Sequence, residues 1–182
     1  FEARDVIGGM LALGLPAYRL PRDKFEKELD LFREMGIEFV TGKKIGKDIS
    51  MKDLRRDGYM AVYIAVGDHN DRRLGVSGED SEGVMSGVSF LRSLNLGENV
   101  GVNNKQVIVV GGGNVAMDCA RSAIRLGASK VSLFCLEKDG EMPAHPDEVR
   151  DGRDEGLNVC NGWGPKEIVA ENGVVKDVIF RK

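Results

Sequence analysis

Apolar residues change their spacing from one segment of the chain to the next, and the spacing predicts alternating helices and strands. Between residues 22 and 36, Phe25, Leu29 and Phe32 fall at i, i+4 and i+7, which predicts a helix with one apolar face and a stop at Gly36. Asp23 and Glu26, three residues apart, predict a capping box at its start. Residues 37–41 read as a strand, and Ser50 with Asp53 predicts a short helical turn around Leu54. The run "YMAVYIAVG" (59–67) is continuously apolar and closed by glycine, the pattern of a strand buried on both faces in a parallel sheet. Residues 68–82 are polar and glycine-rich, which predicts a loop and a domain boundary. Val84, Val88, Leu91 and Leu94 predict a helix over 84–96, ended by Gly97.

From residue 106 the pattern is strand (106–110), helix (114–126, ending at Gly127) and strand (130–136). That order is a βαβ unit, whose crossover is expected to be right-handed. A helix over 145–155 follows, then two strands, 165–170 and 174–181, joined by Glu171-Asn172-Gly173. Asn-Gly between apolar runs is a strong hairpin signal. There is no internal repeat and no low-complexity tract.

The first of these strands runs into three consecutive glycines, in "VVGGGNVAMD" (109–118). Gly111, Gly112 and Gly113 lead into Asn114, Val115 and Ala116, giving the frame Gly111-x-Gly113-x-x-Ala116, the G-x-G-x-x-A form of a dinucleotide fingerprint. Each position has a physical task. Gly111 permits the tight turn out of the strand, Gly113 lets a pyrophosphate approach the backbone, and Ala116 lets the helix pack closely on the strand. Amides at the helix N-terminus then face the phosphates. The fold class expected is α/β: a Rossmann-like NAD(P)-binding domain with a central parallel sheet.

The second strand ends in "FCLEKDG", with Glu137 26 positions after Gly111, where an acid is expected to read the adenosine ribose. A carboxylate there accepts from the 2′-hydroxyl of NADH and repels the 2′-phosphate of NADPH. Lys138 opposes that, since it can pair with the phosphate. The balance favours NAD over NADP and leaves both open.

Composition narrows the rest. Hydrophobic residues make up 42% of 182 residues, enough for a packed core. A net charge of −3 without long basic runs argues against nucleic acid. No apolar run is long enough to span a bilayer, and no signal-peptide pattern opens the chain. Cys119, Cys135 and Cys160 form no C-x-x-C pair and read as buried, reduced thiols of a cytoplasmic protein. His69 and His145 are too scattered for a metal site, and His145 reads as a loop and helix start rather than a catalytic base.

Five stretches in order, "FEA…GGMLALGLPAYRLPRD" (1–23), "AVYIAVG" (61–67), "GVSGED…GV" (75–84), "VIVVGGGNVAMDCARSAIRLGA" (107–128) and "EMPAHPDEVR" (141–150), give the chain a family likeness. It resembles the glutamate synthase small-subunit family of flavoprotein reductases, and more distantly the flavin half of dihydropyrimidine dehydrogenase. The resemblance implies an NAD(P) domain inserted into an FAD domain, here a partial FAD-binding domain (1–72) followed by the NAD(P)-binding domain (73–182). It maps Glu2 onto the acid that holds the flavin nucleotide's ribose, Gly8 and Gly9 onto glycines passing close to FAD, and Gly67 onto the glycine where the chain leaves the FAD domain. It also implies that segments of the FAD domain precede Phe1 and follow Lys182, so that the chain is the middle of a longer protein. Leu136-Glu137 departs from the two arginines that many members resembling this chain carry.

Two functions are compatible with these residues. One is an oxidoreductase in which NAD(P)H passes a hydride to FAD and electrons leave through iron–sulfur centres to a partner subunit or domain. That transfer requires no catalytic acid, base or nucleophile, because the cofactors carry the chemistry. The other is a dinucleotide-sensing module without turnover, against which the half FAD site at Glu2, Gly8 and Gly9 argues.

Overall fold

Gln106–Val110, Lys130–Cys135 and Asn158–Asn161 lie side by side as three parallel strands, with the second in the centre. They belong to a computed structural model that describes residues 1–182. The chain divides into two compact units, Phe1–His69 and Asn70–Lys182.

The first unit contains three helices: α1 (Gly9–Leu13), α2 (Arg22–Glu34) and α3 (Met51–Arg56). Ala12, Leu13, Phe25 and Leu29 form its buried cluster, with Ile7, Leu20 and Phe39 packed around them. Of the predicted apolar face of α2, Phe25 and Leu29 are buried but Phe32 is 42% exposed. The start of α2 also differs from the expected capping box. Pro21 is the N-cap, its carbonyl accepts from Lys24 and Phe25 N–H, and Asp23 lies inside the first turn. A proline suits that junction because its φ is preset and the following turn needs no donor from it. The Arg22 guanidinium reaches back to the carbonyls of Leu11 (2.9 Å) and Leu15 (2.6 Å) around the end of α1. At α3 the capping box is as predicted: Ser50 Oγ accepts from Asp53 N–H, the Asp53 carboxylate accepts from Ser50 N–H, and Leu54 is buried.

Neither predicted strand of this unit forms. Residues 37–41 are irregular, although Glu2 N–H donates to the Val40 carbonyl (2.9 Å). Residues 59–67 have no strand partner within the chain, and their side chains face solvent, with Met60 100% and Tyr63 92% exposed. A strand buried on both faces requires neighbouring strands and covering helices. None of the 182 residues supplies them to this run.

The second unit follows its predicted pattern closely. Helix α4 (Gly87–Asn95) begins three residues later than expected, because Ser86 caps it by accepting from Ser89 N–H. The Asp71 carboxylate accepts from Ser86 Oγ (2.5 Å) and Val88 N–H, which fastens the polar segment to the same helix end. Next come β1 (Gln106–Val110), α5 (Asn114–Arg125), β2 (Lys130–Cys135), α6 (Pro146–Asp154) and β3 (Asn158–Asn161). The four-residue β3 has no sequence prediction behind it; "NVCN" carries too little alternation to reveal it. A hairpin of β4 (Gly164–Glu171) and β5 (Val174–Arg181) closes the unit, turning at Asn172 (φ 52) and Gly173 (φ 82).

The core lies between the sheet and the helices. Met117, Ala120 and Ala123 of α5 and Leu133 of β2 are inaccessible to solvent, and Phe90, Leu91, Val149 and Leu157 surround them. On the other side of β2, the Phe134 ring stacks on Phe180 of the hairpin at 3.9 Å between centroids. Loop 74–84 is tied to the hairpin edge through Ile168 N–H to the Ser77 carbonyl and Val175 N–H to the Glu82 carbonyl. No helix is long and apolar enough to cross a membrane.

Candidate functional site

The glycine turn sits at the carboxyl end of β1. Gly111 N–H donates to the Phe134 carbonyl (2.9 Å), adding one bond to the ladder before the chain turns. Gly111 has φ +136, a conformation that side-chain-bearing residues rarely adopt. Gly112 is buried for a different reason: a Cβ there would lie 2.6 Å from Glu137 Oε2 and 3.2 Å from Cys135 Cβ. Gly113 differs from both. Its φ of −94 suits any residue, and a Cβ there would meet no protein atom within 4 Å. Nothing inside the protein requires glycine at 113.

Gly113 is the N-cap of α5, and its carbonyl accepts from Met117 N–H. No side chain caps the helix, so the amides of Asn114, Val115 and Ala116 have no intrahelical carbonyl to bond. Asn114 and Val115 are exposed, and Ala116 is half-buried against the core. The helix behind them is tied to α6 by ion pairs. The Arg121 guanidinium, 8% exposed, bonds Glu148 (2.8 Å) and Glu155 (2.7 Å) on the α6 side, and Arg125 joins Glu155 as well (2.7 Å). Burial alone would raise the Glu155 carboxyl, but the bonds and charges of Arg121 and Arg125 outweigh it and hold the group below the usual carboxylate range.

Glu137 lies two residues beyond the end of β2. Its carboxylate lies against Gly112, its carbonyl accepts from Gly162 N–H, and the side chain is half-buried. The neighbouring Lys138 is exposed. The structure thus brings together Gly111, Gly112, Gly113, Asn114, Val115, Ala116 and Glu137 around one turn, with Lys138 beginning the loop beside it.

Two contacts at this turn have no counterpart in the sequence reading. Ala144 N–H donates to the Gly112 carbonyl (2.9 Å), and His145 N–H donates to Asn114 Oδ1 (2.9 Å). His145 also caps α6, its Nδ1 accepting from Asp147 N–H at 3.4 Å. The segment "MPAHP" therefore packs on the glycine turn rather than only opening a helix. Both donors are backbone N–H groups, which leave no pattern in side-chain type.

In the first unit the other predicted residues occupy separate settings. The Glu2 carboxylate accepts from the backbone N–H of Arg4 (2.9 Å). Gly8 (φ 108) leaves room for the Phe25 ring, whose Cζ a Cβ would approach to 2.3 Å. Gly9 (φ 51) has open space where a Cβ would stand, and Gly67 (φ 68) owes its glycine to conformation, with only His69 near. The free thiol of Cys119 is buried under α4, 3.5 Å from the Gly87 carbonyl; Cys135 is buried and Cys160 half-buried.

Residues 22–181 match the family described as Pyridine nucleotide-disulphide oxidoreductase. The chain is 48% identical over 178 residues to the NADP(+)-dependent formate dehydrogenase subunit beta of Moorella thermoacetica, covering 97% of the chain and 25% of that protein. It is 35% identical over 189 residues to the glutamate synthase [NADPH] small chain of Escherichia coli, covering 98% of the chain and 40% of that protein. The chain therefore spans well under half the length of these relatives. Among solved structures, Mycobacterium tuberculosis FprA in complex with NADPH superposes with a TM-score of 0.77 at 18% identity, over 94% of the chain and 54% of that one. Thioredoxin reductase of Lactococcus lactis gives 0.65 at 17% identity, over 99% of the chain and 61% of that one.

Proposed function

The chain belongs to the pyridine nucleotide-disulphide oxidoreductase family, and we propose that residues 73–182 are the NAD(P)H-binding part of a flavoprotein oxidoreductase. The observation that carries this reading is Gly113, which neither backbone strain nor any protein neighbour requires to be glycine. A pyrophosphate drawn to the free amides of Asn114, Val115 and Ala116 supplies the missing reason. Glu137, against Gly112, is the ribose reader, and Lys138 is the counter-charge beside it.

Residues 1–72 are read as a partial FAD-binding domain, in which Glu2 holds the flavin nucleotide's ribose, Gly8 and Gly9 pass close to FAD, and Gly67 is the cofactor-side glycine where the chain leaves the domain. The open space at Gly9 supports that reading. The turn of residues 111–116 would hold the dinucleotide and the segment around Gly9 the flavin nucleotide, and hydride transfer from nicotinamide to flavin would be the chemistry that the bound cofactors supply. The protein's own residues bind and orient. An electron-accepting subunit or domain with iron–sulfur centres is the partner that fits, in keeping with relatives named as a beta subunit and a small chain. Free, largely buried thiols suit a reducing cytoplasmic compartment.

The relatives are named for NADP(H), whereas Glu137 favours NADH in this chain. Titration calorimetry with each cofactor, on the parent and on Gly113→Val, tests the reading. The parent binds a dinucleotide and the variant, with an unchanged circular dichroism spectrum, does not. Equal affinity in a folded Gly113→Val removes the pyrophosphate as the reason for glycine at 113 and overturns the reading.

A further inference from the structure

The loop from Lys138 to His145 is tethered to the glycine turn at both ends. At its start the Glu137 carboxylate rests against Gly112. At its end Ala144 N–H bonds the Gly112 carbonyl and His145 N–H bonds Asn114 Oδ1, each at 2.9 Å. Between these ends residues 138–141 are exposed, while Met142 and Ala144 pack against the core. A cavity of about 350 Å³, lined by Met142, Ala144, Pro146, Val149 and Arg153 among others, separates it from α6. The link across that cavity is the Arg153–Asp139 pair (2.7 Å), whose partners are 45% and 73% exposed. An exposed pair of this kind holds a loop weakly. The position of the loop is therefore set by the core contacts of Met142 and Ala144, by the Gly162 N–H bond to the Glu137 carbonyl, and by its bonds to the turn. One of those bonds is made by a side chain, that of Asn114.

We infer that Asn114 is a positioning residue for cofactor choice: it holds the 138–145 loop, and with it Glu137 and Lys138, in register with the phosphate-binding turn. The inference rests on the dinucleotide reading above. Asn114 does so as a neutral acceptor. An aspartate would accept the same bond from His145 N–H but would place a negative charge at the first turn of α5, where a phosphate approaches.

The test is the ratio of NADH to NADPH dissociation constants, measured by calorimetry on the full chain. Asn114→Ala moves the ratio toward one by about threefold to tenfold, the size of one neutral hydrogen bond. His145→Pro deletes the same bond from the donor side, at a residue whose φ of −58 already suits proline, and moves the ratio equally. The double variant shifts the ratio no further than either single one. Asn114→Asp keeps the parental ratio while weakening both cofactors. If Asn114→Ala and His145→Pro instead weaken both cofactors by one common factor, Asn114 has no part in the choice and the inference is overturned. A parent chain that binds neither cofactor removes the dinucleotide reading itself, a result distinct from an unshifted ratio.

Discussion

Glu137 and Gly112 touch through the space that a side chain on residue 112 would fill, with Glu137 Oε2 2.6 Å from where that Cβ would stand. The contact joins the residue read as ribose reader to the middle of the phosphate turn. The middle glycine is thus accounted for by its acidic neighbour, the first by its φ of +136, and the third by neither.

Gly112→Ala is accordingly expected to act on cofactor choice through Glu137. The methyl group meets a carboxylate that can swing away, and a Cys135 Cβ at 3.2 Å that moves less easily. A cost of about 1–3 kcal/mol in stability is the usual range for such overpacking. NADH affinity falls more than NADPH affinity, because the displaced group is the one that accepts from the ribose hydroxyl. Urea unfolding and paired calorimetric titrations check both parts; an unchanged cofactor ratio would detach Glu137 from the ribose.

Glu137→Arg is expected to move preference toward NADPH. One charge-assisted hydrogen bond contributes about 1.5–3 kcal/mol, which corresponds to roughly a tenfold to hundredfold change in relative affinity. Lys138 moderates the effect by turning to the same phosphate. The dissociation constants of both cofactors before and after substitution decide the matter. A parent that already binds NADPH more tightly shows that Lys138 or another base dominates, and removes Glu137 as the reader.

How far the sequence is readable depends on whether an element's partners lie within the same 182 residues. From 106 onward they do. The apolar spacing predicted β1, α5, β2, α6 and the hairpin within a residue or two, since each strand there finds its neighbour locally. The run 59–67 carries an equally clear strand pattern and forms none, because pairing, unlike periodicity, is supplied from elsewhere in a fold. At the site, the glycine turn and Glu137 were visible as a spaced motif. The bonds from Ala144 and His145 were not, because backbone donors look alike whatever the side chain.

Cys119 is expected to resist thiol reagents for as long as the second unit stays folded. Burial, with the nearby charges of Asp118 and Asp71 adding to it, pushes its pKa up to about 12. At pH 8 the thiolate fraction is then about one in ten thousand, and the thiolate is the reactive form. Mass spectrometry after brief iodoacetamide treatment should find Cys160, the half-buried thiol, alkylated before Cys119. Rapid labelling of Cys119 in the native state would show that α4 opens readily from α5.

Arg121 and Glu155 bind α5 to α6 behind the turn. Arg121→Ala leaves Glu148 and Glu155, only 21% and 22% exposed, without their main counter-charge. Removing one partner of a buried pair costs about 3–5 kcal/mol, so the variant should unfold at markedly lower urea. The pH dependence follows from the direction of the Glu155 shift. Its folded-state pKa lies below the unfolded value, held there by Arg121 and Arg125 against the opposing effect of burial. The unfolded state therefore binds a proton first as pH falls. Stability from this group is fully present above the unfolded carboxylate pKa of about 4.3 and disappears as pH drops through the folded pKa. In Glu155→Gln that contribution is absent at every pH. The stability difference between parent and Glu155→Gln should be constant from neutral pH down to about pH 5, then shrink below it. Urea midpoints measured across that range test the sign, and a difference that widens on acidification would show that Glu155 is not held charged by the two arginines.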